Sequence, residues 1–235
     1  MRIALIGYGS MGKLIEVLAK EKGHSVACII GESKAAISAV ELAGVLAGVD
    51  AAIDFSDASA VRRNAEACML AGVPLIEGTT GWNDEIDSIK SLVDENSGSL
   101  VFGANFSVGV NLFYRVADFA SELFAKFAEY EVFIEEQHHS RKKDSPSGTA
   151  LKLKAVVARH IKNDFGVSAT RAGNIPGTHR VGFDGPADQV LLEHTARSRD
   201  GFATGAIMAA EWIIGKKGFY EFTDVMDEIC LSRPM

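Results

Sequence analysis

The sequence predicts an α/β protein in two parts, a parallel sheet covered by helices followed by a second, α+β unit. Three observations support this fold class. In residues 1–105, short and nearly continuous apolar segments alternate with amphipathic ones, which is typical of parallel strands buried on both faces. After Asn105 the pattern changes to long helical segments and alternating strand-like segments. With 235 residues, 47% of them hydrophobic, the chain can form one large core or two modest ones.

The elements of the first part follow from hydrophobic periodicity. An apolar run at residues 2–6 ends at Gly7 and predicts the first strand. Apolar residues then recur at helical spacing over residues 11–18, and Gly23 ends that helix. Further apolar runs predict strands at 25–30, 49–55, 73–76 and 99–102, and amphipathic segments predict helices near 57–71 and 84–96.

The second part opens with a long helical pattern over residues 108–127. The remaining predicted elements are a strand at 130–135, a helix over 147–161, strand-like segments within 168–200, a helix over 202–214 and a short tail. Because the last helix follows this second unit directly, it could return to pack on the first.

Charge and composition exclude several classes of function. The formal net charge of −7 predicts no binding to nucleic acid or to an anionic membrane surface. No apolar run approaches the roughly 20 residues of a membrane span, and the N-terminus has no secretory signal pattern. Cys28, Cys68 and Cys230 form no CxxC pair, so we expect reduced thiols and a cytoplasmic location. No cluster of His, Asp or Glu has metal-ligand spacing, so we expect no metal ion.

Residues 7–12 (GYGSMG) form a GxGxxG motif between a predicted strand and a predicted helix. Two glycines allow a tight turn close to a pyrophosphate, the third lets helix and strand pack closely, and the amides at the helix start face the anion. This context predicts a Rossmann dinucleotide-binding domain with NADH or NADPH as cofactor. Glu32 could bind the adenosine ribose of NAD, whereas Lys34 could pair with the 2′-phosphate of NADP, so the cofactor preference stays open.

Two further segments are predicted at the same edge of the sheet. Residues 78–81 (GTTG) follow the fourth strand, and residues 105–107 (NFS) follow the fifth. Ligands of open α/β sheets bind at the carboxyl ends of the strands, and small residues there allow a flat ring to approach the backbone. Each segment alone is typical of a plain turn, but together they predict the walls of a nicotinamide slot.

A basic turn at residues 138–143 (HHSRKK) lies in an otherwise acidic chain. It leads into residues 144–149 (DSPSGT), a predicted helix start where Ser147 or Thr149 can cap and Gly148 leaves backbone N–H groups open. Such a helix start binds carboxylates, and His and Lys side chains can transfer protons. The turn therefore predicts a cationic pocket for a small substrate that carries carboxylates.

Several segments together resemble the dihydrodipicolinate reductase family. They are GYGSMG at 7–12, DFS at 54–56, GTTG at 78–81, NFSVGVN at 105–111, HHSRKKDSPSGTA at 138–150, HTARSR at 194–199 and FATGAIMAAEW at 202–212. The resemblance runs nearly end to end, and the segment at 138–150 is its most specific part. It implies an NAD(P)H-dependent oxidoreductase that reduces 4-hydroxy-tetrahydrodipicolinate to tetrahydrodipicolinate in the diaminopimelate route to lysine.

The resemblance also implies roles for individual residues. His138 would be the acid/base residue and Lys142 the proton donor, while His139, Gly148 and Thr149 would hold a substrate carboxylate. The dinucleotide would contact Gly7, Tyr8, Gly9, Ser10, Met11, Gly12, Gly78, Thr79, Thr80, Ala104, Asn105 and Phe106.

The implied assembly is a homotetramer formed through the sheet of the second domain, with the C-terminal helix packed on the first domain. The domains would then be residues 1–106 with 207–235, which bind the dinucleotide, and residues 107–206, which bind substrate and mediate oligomerisation.

Two other functions stay open at this point. The first is an NAD(P)-dependent reductase of another amino dicarboxylate, and the second is a sensor that binds NAD(H) without chemistry. The sequence also leaves open whether His138 or Lys142 gives the final proton. The remaining histidines, His24, His160, His179 and His194, are interpreted as structural.

Overall fold

A computed structural model describes residues 1–31 and 37–231, which form two compact units. The first unit contains residues 1–108 and the chain from Asp200 onward, and the second contains residues 109–199. The helix that begins at Asp200 lies wholly in the first unit, whereas the sequence analysis assigned residues 200–206 to the second domain. The reason is that Ala203 and Ala206 are fully buried in the core of the first unit.

The first unit is built on a six-stranded parallel sheet. Its strands are β1 (Arg2–Ile6), β2 (Ser25–Ile30), β3 (Ala51–Asp54), β4 (Leu75–Glu77), β5 (Ser99–Phe102) and β10 (Gly218–Glu221). They lie in the order β10-β5-β4-β3-β1-β2. From β1 the chain adds β2 on one side and β3, β4 and β5 on the other, so the strand order reverses between β1 and β3. In such sheets, ligands bind beyond the carboxyl ends of the strands at this point.

Helices cover both faces of this sheet. They are α1 (Ser10–Glu21), α2 (Ala39–Leu46), α3 (Val61–Ala71), α4 (Ile86–Glu95), α7 (Asp200–Trp212) and α8 (Phe222–Leu231). The core on one face includes buried residues of α1, α7 and α8, and the core on the other includes those of α2, α3 and α4. All residues of β3 and β4 are buried, which explains why their sequences are nearly continuous apolar runs.

The second unit has a mixed four-stranded sheet in the order β7-β6-β8-β9. Its elements are α5 (Val108–Phe124), β6 (Glu131–His138), α6 (Gly148–Val157), β7 (Val167–Arg171), β8 (Thr178–Asp184) and β9 (Gln189–Thr195). Strand β6 pairs in parallel with β7 and antiparallel with β8, and β8 pairs antiparallel with β9. Buried residues of α5, α6, β6 and β8 form one core.

The predicted fold class is confirmed, and most predicted elements are present. The segment after residue 214, which is predicted only as a short tail, contains both β10 and α8. A four-residue strand is too short for a recognisable period, and each residue of β10 is only half-buried. Among the residues that the structure describes, no helix is long and apolar enough to cross a membrane.

Candidate active site

The turn between β1 and α1 requires glycine at two positions. Gly7 has a φ of +81°, and a Cβ atom built on it would lie 2.3 Å from the carbonyl oxygen of Phe55. A Cβ on Gly12 would lie 2.3 Å from the carbonyl oxygen of Gly7, so the absence of a side chain lets α1 pack closely. Gly9 is the N-cap residue, no side chain of the described residues caps the helix, and a Cβ there would meet none of their atoms within 4 Å. The positive end of α1 is therefore suited to receive an anion.

The side chains of this motif have different surroundings. The hydroxyl of Tyr8 donates a hydrogen bond to Glu16, and this bond raises the pKa of the phenol. Ser10 is exposed, whereas Met11 packs against the core. The predicted ribose ligand Glu32, and Lys34 with it, lie outside the described residues, so the cofactor preference stays open.

The segments after β4 and β5 lie at the same sheet edge, as predicted. A Cβ on Gly78 would lie 2.3 Å from the ring of Phe55, so this position also requires glycine. The Oγ1 of Thr79 accepts a hydrogen bond from the backbone N–H of Ser56 at 3.1 Å, and Trp82 Nε1 donates to the carbonyl of Thr79 at 2.8 Å. The segment 78–80 is thus held by hydrogen bonds from both sides.

The side chains of the segment 104–106 have structural contacts within the first unit. The ring of Phe106 is 2% exposed and packs 4.6 Å from the ring of Phe222 and 6.1 Å from that of Phe55, measured between centroids. Only the backbone of Phe106 can therefore reach a ligand. The side chain of Asn105 accepts a hydrogen bond from the backbone N–H of Ser107 at 2.8 Å, which stabilises the turn.

In the second unit, strand register brings four polar residues together at the start of the basic turn. His138 is the last residue of β6 and is paired with Arg171 of β7, while Glu136 is paired with His179 of β8. Glu136 and His138 are two positions apart on one strand, so their side chains lie on the same face. The sequence alone predicts no role for Glu136 or Arg171, and it indicates only a structural role for His179.

Glu136 is the centre of this cluster, and its side chain is fully buried. Arg171 binds both carboxylate oxygens, with Nη2 to Oε1 at 2.6 Å and Nη1 to Oε2 at 2.8 Å. The backbone N–H of Ser147 donates to Oε1 at 3.0 Å, and His138 Nδ1 lies 2.5 Å from Oε2. Such a bidentate, charge-assisted arrangement holds the carboxylate in one orientation.

These contacts determine the charges of the cluster. Burial opposes ionisation of Glu136, but the hydrogen bonds from Arg171, His138 and Ser147 outweigh it and lower its pKa. The pKa of His138 is lowered by burial, which exceeds the opposite effect of Glu136. Burial and the neighbouring His138 lower the pKa of His179 to about 4, so His179 is neutral at physiological pH.

Ser147 links the neutral His179 to the start of α6. Its Oγ accepts a hydrogen bond from the backbone N–H of Ala150 at 3.2 Å and lies 3.0 Å from His179 Nε2. Because the hydroxyl oxygen already accepts from Ala150, its proton can be donated to the unprotonated Nε2 of His179. Ser147 is therefore the helix cap, one of the two residues predicted for that role.

The anion-binding helix start is occupied by a side chain of this chain. The carboxylate of Asp144 lies 2.8 Å from Lys142 Nζ and also accepts from the backbone N–H of Gly148, the first residue of α6. The hydrogen bond to Lys142 lowers the pKa of Asp144. Lys142 is thus paired with an internal carboxylate at the position predicted for a carboxylate of the substrate.

Of the other predicted substrate residues, Gly148 and Thr149 are the first two residues of α6. His139 and Thr149 are half-buried, and Gly148 is exposed, with no atom of the described residues within 4 Å of a Cβ built on it. The Nδ1 atom of His139 is buried without a hydrogen-bond partner among the described residues.

Glu136, His138 and His179 also have their ligand atoms within 4.8 Å of one another. Both oxygens of Glu136 already accept hydrogen bonds, and the guanidinium of Arg171 adds positive charge beside them. A cation at this position would have to displace these donors, so the cluster is better suited to orient an imidazole than to bind a metal ion.

Comparisons with known proteins match this chain along almost its whole length. A family model described as "Dihydrodipicolinate reductase, N-terminus" matches residues 1–106, and one described as "Dihydrodipicolinate reductase, C-terminus" matches residues 109–226. The chain belongs to the dihydrodipicolinate reductase family. Proteins named 4-hydroxy-tetrahydrodipicolinate reductase are 34% identical in Christiangramia forsetii and 35% in Archaeoglobus fulgidus. Each alignment covers 97% of this chain, with 99% and 100% of the relative.

Solved structures agree with this assignment of the fold. A dipicolinate-bound dihydrodipicolinate reductase from a Paenisporosarcina species has a TM-score of 0.78 at 20% identity, covering 96% of this chain and 99% of its own. An amine dehydrogenase from Mycobacterium smegmatis has a TM-score of 0.62 at 10% identity, with 95% of both chains covered. The family resemblance predicted from the sequence is confirmed, and so is the Rossmann-like first unit.

Proposed function

We propose that this chain uses NADH or NADPH to reduce 4-hydroxy-tetrahydrodipicolinate to tetrahydrodipicolinate in the diaminopimelate route to lysine. The observation that carries the proposal is the match of both halves of one reductase family to residues 1–106 and 109–226. The first of these segments contains the glycine turn, and the second contains the His138 cluster.

The first unit fits a dinucleotide. Gly9 presents its backbone without a side chain at the start of α1, which no described side chain caps, and this helix start is suited to the negative charge of a pyrophosphate. Residues 78–80 and the backbone of 104–106 would hold the nicotinamide end. When bound, the cofactor supplies the hydride, and the protein contributes position and electrostatics.

His138 is the acid/base residue in this proposal. Its Nδ1 is bound to Glu136, so Nε2 is the nitrogen that can exchange a proton with a substrate. A Cβ on Gly177 would lie 3.0 Å from Nε2, so the glycine leaves space at this atom. Because Arg171 holds Glu136 in one orientation, Glu136 in turn holds the imidazole in a single orientation.

Lys142 and the start of α6 are the substrate-binding part of the proposal. Asp144 now bridges Lys142 and the N–H of Gly148, and a substrate carboxylate would replace it there, with His139 and Thr149 alongside. Release from Asp144 would free the ammonium group of Lys142 to donate a proton. His138 and Lys142 are both candidates for the final donor.

The test is a coupled assay with a dihydrodipicolinate synthase that is supplied with pyruvate and aspartate semialdehyde. Nicotinamide absorbance is followed with NADH and NADPH in parallel. We expect a loss of absorbance that requires both enzymes, and the ratio of the two rates measures the cofactor preference.

Two other results of this assay would contradict the proposal. Turnover with a different amino dicarboxylate in a substrate panel would identify a reductase of another acid. Binding of NADH without turnover on any dicarboxylate would indicate a sensor.

We also propose that the chain forms a homotetramer in the cytoplasm. The edge strand β9 exposes the apolar residues Val190 and Leu191, and such an edge readily pairs with another chain. The net charge of −7 supports the expected lack of nucleic-acid and membrane partners. Light scattering of the wild type and of Leu191→Asp tests the assembly, because a charge at this strand should dissociate it, and an unchanged mass would contradict the proposed interface.

A further inference from the structure

Two buried carboxyl groups lie side by side in the first unit, at the sheet edge with the glycine turn. Asp54 is the last residue of β3 and Glu77 the last residue of β4, and the two are directly paired in the parallel register. Both are 0% exposed. Neither residue has a role in the reaction proposed above.

One oxygen of each carboxyl group has a donor from another residue, and the other oxygen has none. Asn64 Nδ2 donates to Asp54 Oδ2 at 2.6 Å, and the backbone N–H of Thr79 donates to Glu77 Oε1 at 2.7 Å. The remaining atoms, Asp54 Oδ1 and Glu77 Oε2, are buried without a donor from any other described residue. Because Asp54 and Glu77 are paired in the register and each has an oxygen without a donor, a hydrogen bond between the two carboxyl groups needs a proton on one of them.

The surroundings favour a protonated Glu77. Burial, followed by the charge of Asp54, raises the pKa of Glu77 well above its ordinary value, and burial also raises the pKa of Asp54. Two other titratable side chains of α3 lie close by. Burial and then the two carboxyl groups raise the pKa of the Cys68 thiol, and the guanidinium of Arg63 donates to Asn64 Oδ1 at 2.7 Å.

The pair is connected to the loops assigned to the dinucleotide. Asn64, which binds Asp54, also donates to Ser56 Oγ at 3.3 Å, and the backbone N–H of Ser56 donates to Thr79 Oγ1 at 3.1 Å. Thr79 in turn donates its N–H to Glu77, which closes a ring of hydrogen bonds. Phe55, between Asp54 and Ser56, contacts the Gly7 backbone through its carbonyl group.

We propose that a proton shared between Asp54 and Glu77 makes them positioning residues for the dinucleotide site, so that loss of this proton weakens NADH binding. This inference rests on the proposed cofactor site. Without the proton, two adjacent buried carboxylates repel each other, and the ring through Ser56 and Thr79 opens. The second negative charge would also lie at the sheet edge that receives the pyrophosphate.

The experiment compares the NADH dissociation constants of the wild type, Glu77→Gln and Asp84→Asn, measured by fluorescence. The range from about pH 6 to about pH 10 includes the pKa values recorded for buried glutamates. The amide of Glu77→Gln can donate to Asp54 but cannot lose a proton. Asp84 is exposed, close to the same loop, and its replacement removes a carboxylate in the same way. Tyr8 and Cys68 are present in all three proteins, so a difference in pH dependence between the proteins reports on Glu77.

In the wild type and in Asp84→Asn, we expect the dissociation constant to rise roughly tenfold towards alkaline pH, which corresponds to a pKa of the carboxyl pair about one unit higher in the NADH-bound protein than in the free protein. In Glu77→Gln this rise should be absent. A parallel rise in Glu77→Gln would overturn the inference, because a purely structural role of Glu77 predicts no difference in pH dependence.

Infrared difference spectroscopy separates failure of this inference from failure of the proposed function. A protonated buried carboxyl group gives a C=O band that should be lost in Glu77→Gln, and that should persist at a shifted frequency in Asp54→Asn, where Glu77 is still buried. If the band is absent in the wild type, the shared proton is wrong, whatever the protein binds. If the wild type binds neither NADH nor NADPH at any pH, the proposed function fails and the positioning role fails with it.

Discussion

Glu77 in the first unit and Glu136 in the second are both buried glutamates near the carboxyl end of a strand, with 0% and 1% of the residue exposed. Around Glu136, a guanidinium, an imidazole and a backbone N–H group contact the two oxygens. Around Glu77, the polar neighbours are the backbone N–H and the side chain of Thr79 and the carboxyl group of Asp54. The pKa of Glu136 is therefore lowered and that of Glu77 raised. The two glutamates are equally shielded from solvent, but Glu77 lies deeper in the protein and beside a second carboxyl group, whereas Glu136 lies beside a guanidinium group. Depth of burial and the neighbouring groups together determine whether each carboxyl group is ionised.

The two arrangements suit different tasks. An ionised carboxylate can hold a protonatable imidazole in place, which is the geometry at His138. A protonated carboxyl group can donate a hydrogen bond to its neighbour, which is what joins the ends of β3 and β4.

The largest expected effect is on stability when Arg171 is replaced by Met. This change leaves Glu136 buried and charged without its cation, and breaking a buried ion pair costs about 3–5 kcal/mol. Urea unfolding measures the loss. Arg180→Met is the matched control, because Arg180 binds Glu193 on the sheet surface, where a pair contributes up to about 1 kcal/mol. Equal losses in the two variants would mean that the Glu136 carboxylate does not depend on Arg171.

The Lys142–Asp144 pair is more exposed than the Arg171–Glu136 pair, and we expect its removal to affect the reaction instead of the fold. Lys142→Ala should lower kcat by roughly 10²–10⁴ through loss of a positioned proton donor. Its free energy of unfolding should change by less than about 1 kcal/mol. Lys126→Ala, an exposed lysine of the same unit, is the control. A kcat of Lys142→Ala within about threefold of the wild type would remove Lys142 from the mechanism.

Glu136→Gln tests the positioning role of the ionised carboxylate. We expect kcat to fall roughly 10²-fold, the lower end of the range for acid–base catalysis, because the imidazole loses its charged partner. The charge of Glu136 raises the pKa of His138, so the limb of the pH–rate profile that reports His138 should move to lower pH. Glu135→Gln, on the opposite face of β6, should not move it. An unmoved profile in Glu136→Gln would contradict the role.

The pH dependence of stability should have opposite signs at the two glutamates. The folded-state pKa of Glu77 is raised. The ionisation of Glu77 therefore lowers the free energy of unfolding as pH rises from the unfolded pKa of about 4.5 to the folded-state pKa, and the decrease stops above that pH. Glu77→Gln should therefore gain about 1.4 kcal/mol per pH unit over that window, relative to the wild type. The folded-state pKa of Glu136 is lowered, so its contribution is present above the unfolded value and lost as pH falls. Glu136→Gln should therefore be less stable than the wild type at neutral pH, and this difference in the free energy of unfolding should disappear in acid. Parallel pH dependence of the two variants in unfolding experiments would contradict this contrast.

The smallest expected effect compares two helix caps. Ser147 caps α6 from a buried position beside Glu136 and His179, and Ser38 caps α2 at the surface. Replacing a serine cap by alanine costs about 0.5–2 kcal/mol. We expect Ser147→Ala to be at the upper end, because His179 Nε2 loses its donor, and Ser38→Ala at the lower end. Thermal unfolding measures both, and the reverse order would show that the buried contact contributes nothing.

Most of the fold could be predicted from local patterns. The central strands of the first unit are buried on both faces and are therefore nearly continuous apolar runs, as in β3. Strand β10 was missed because its four residues are half-buried and carry no period. The boundary near residue 200 was placed too late, since the sequence does not show that the small residues of α7 pack on the first unit.

The sequence by itself determined the glycine turn at residues 7–12, the basic turn at 138–143 and the family, because steric demands for glycine and side-chain chemistry are local properties. Tertiary structure alone decided that Arg171 pairs with His138 and that Asp54 pairs with Glu77, since these contacts depend on strand order and register. It also decided their charges, because the free energy of ionising a carboxyl group depends on burial and on hydrogen-bond donors that come from distant parts of the chain.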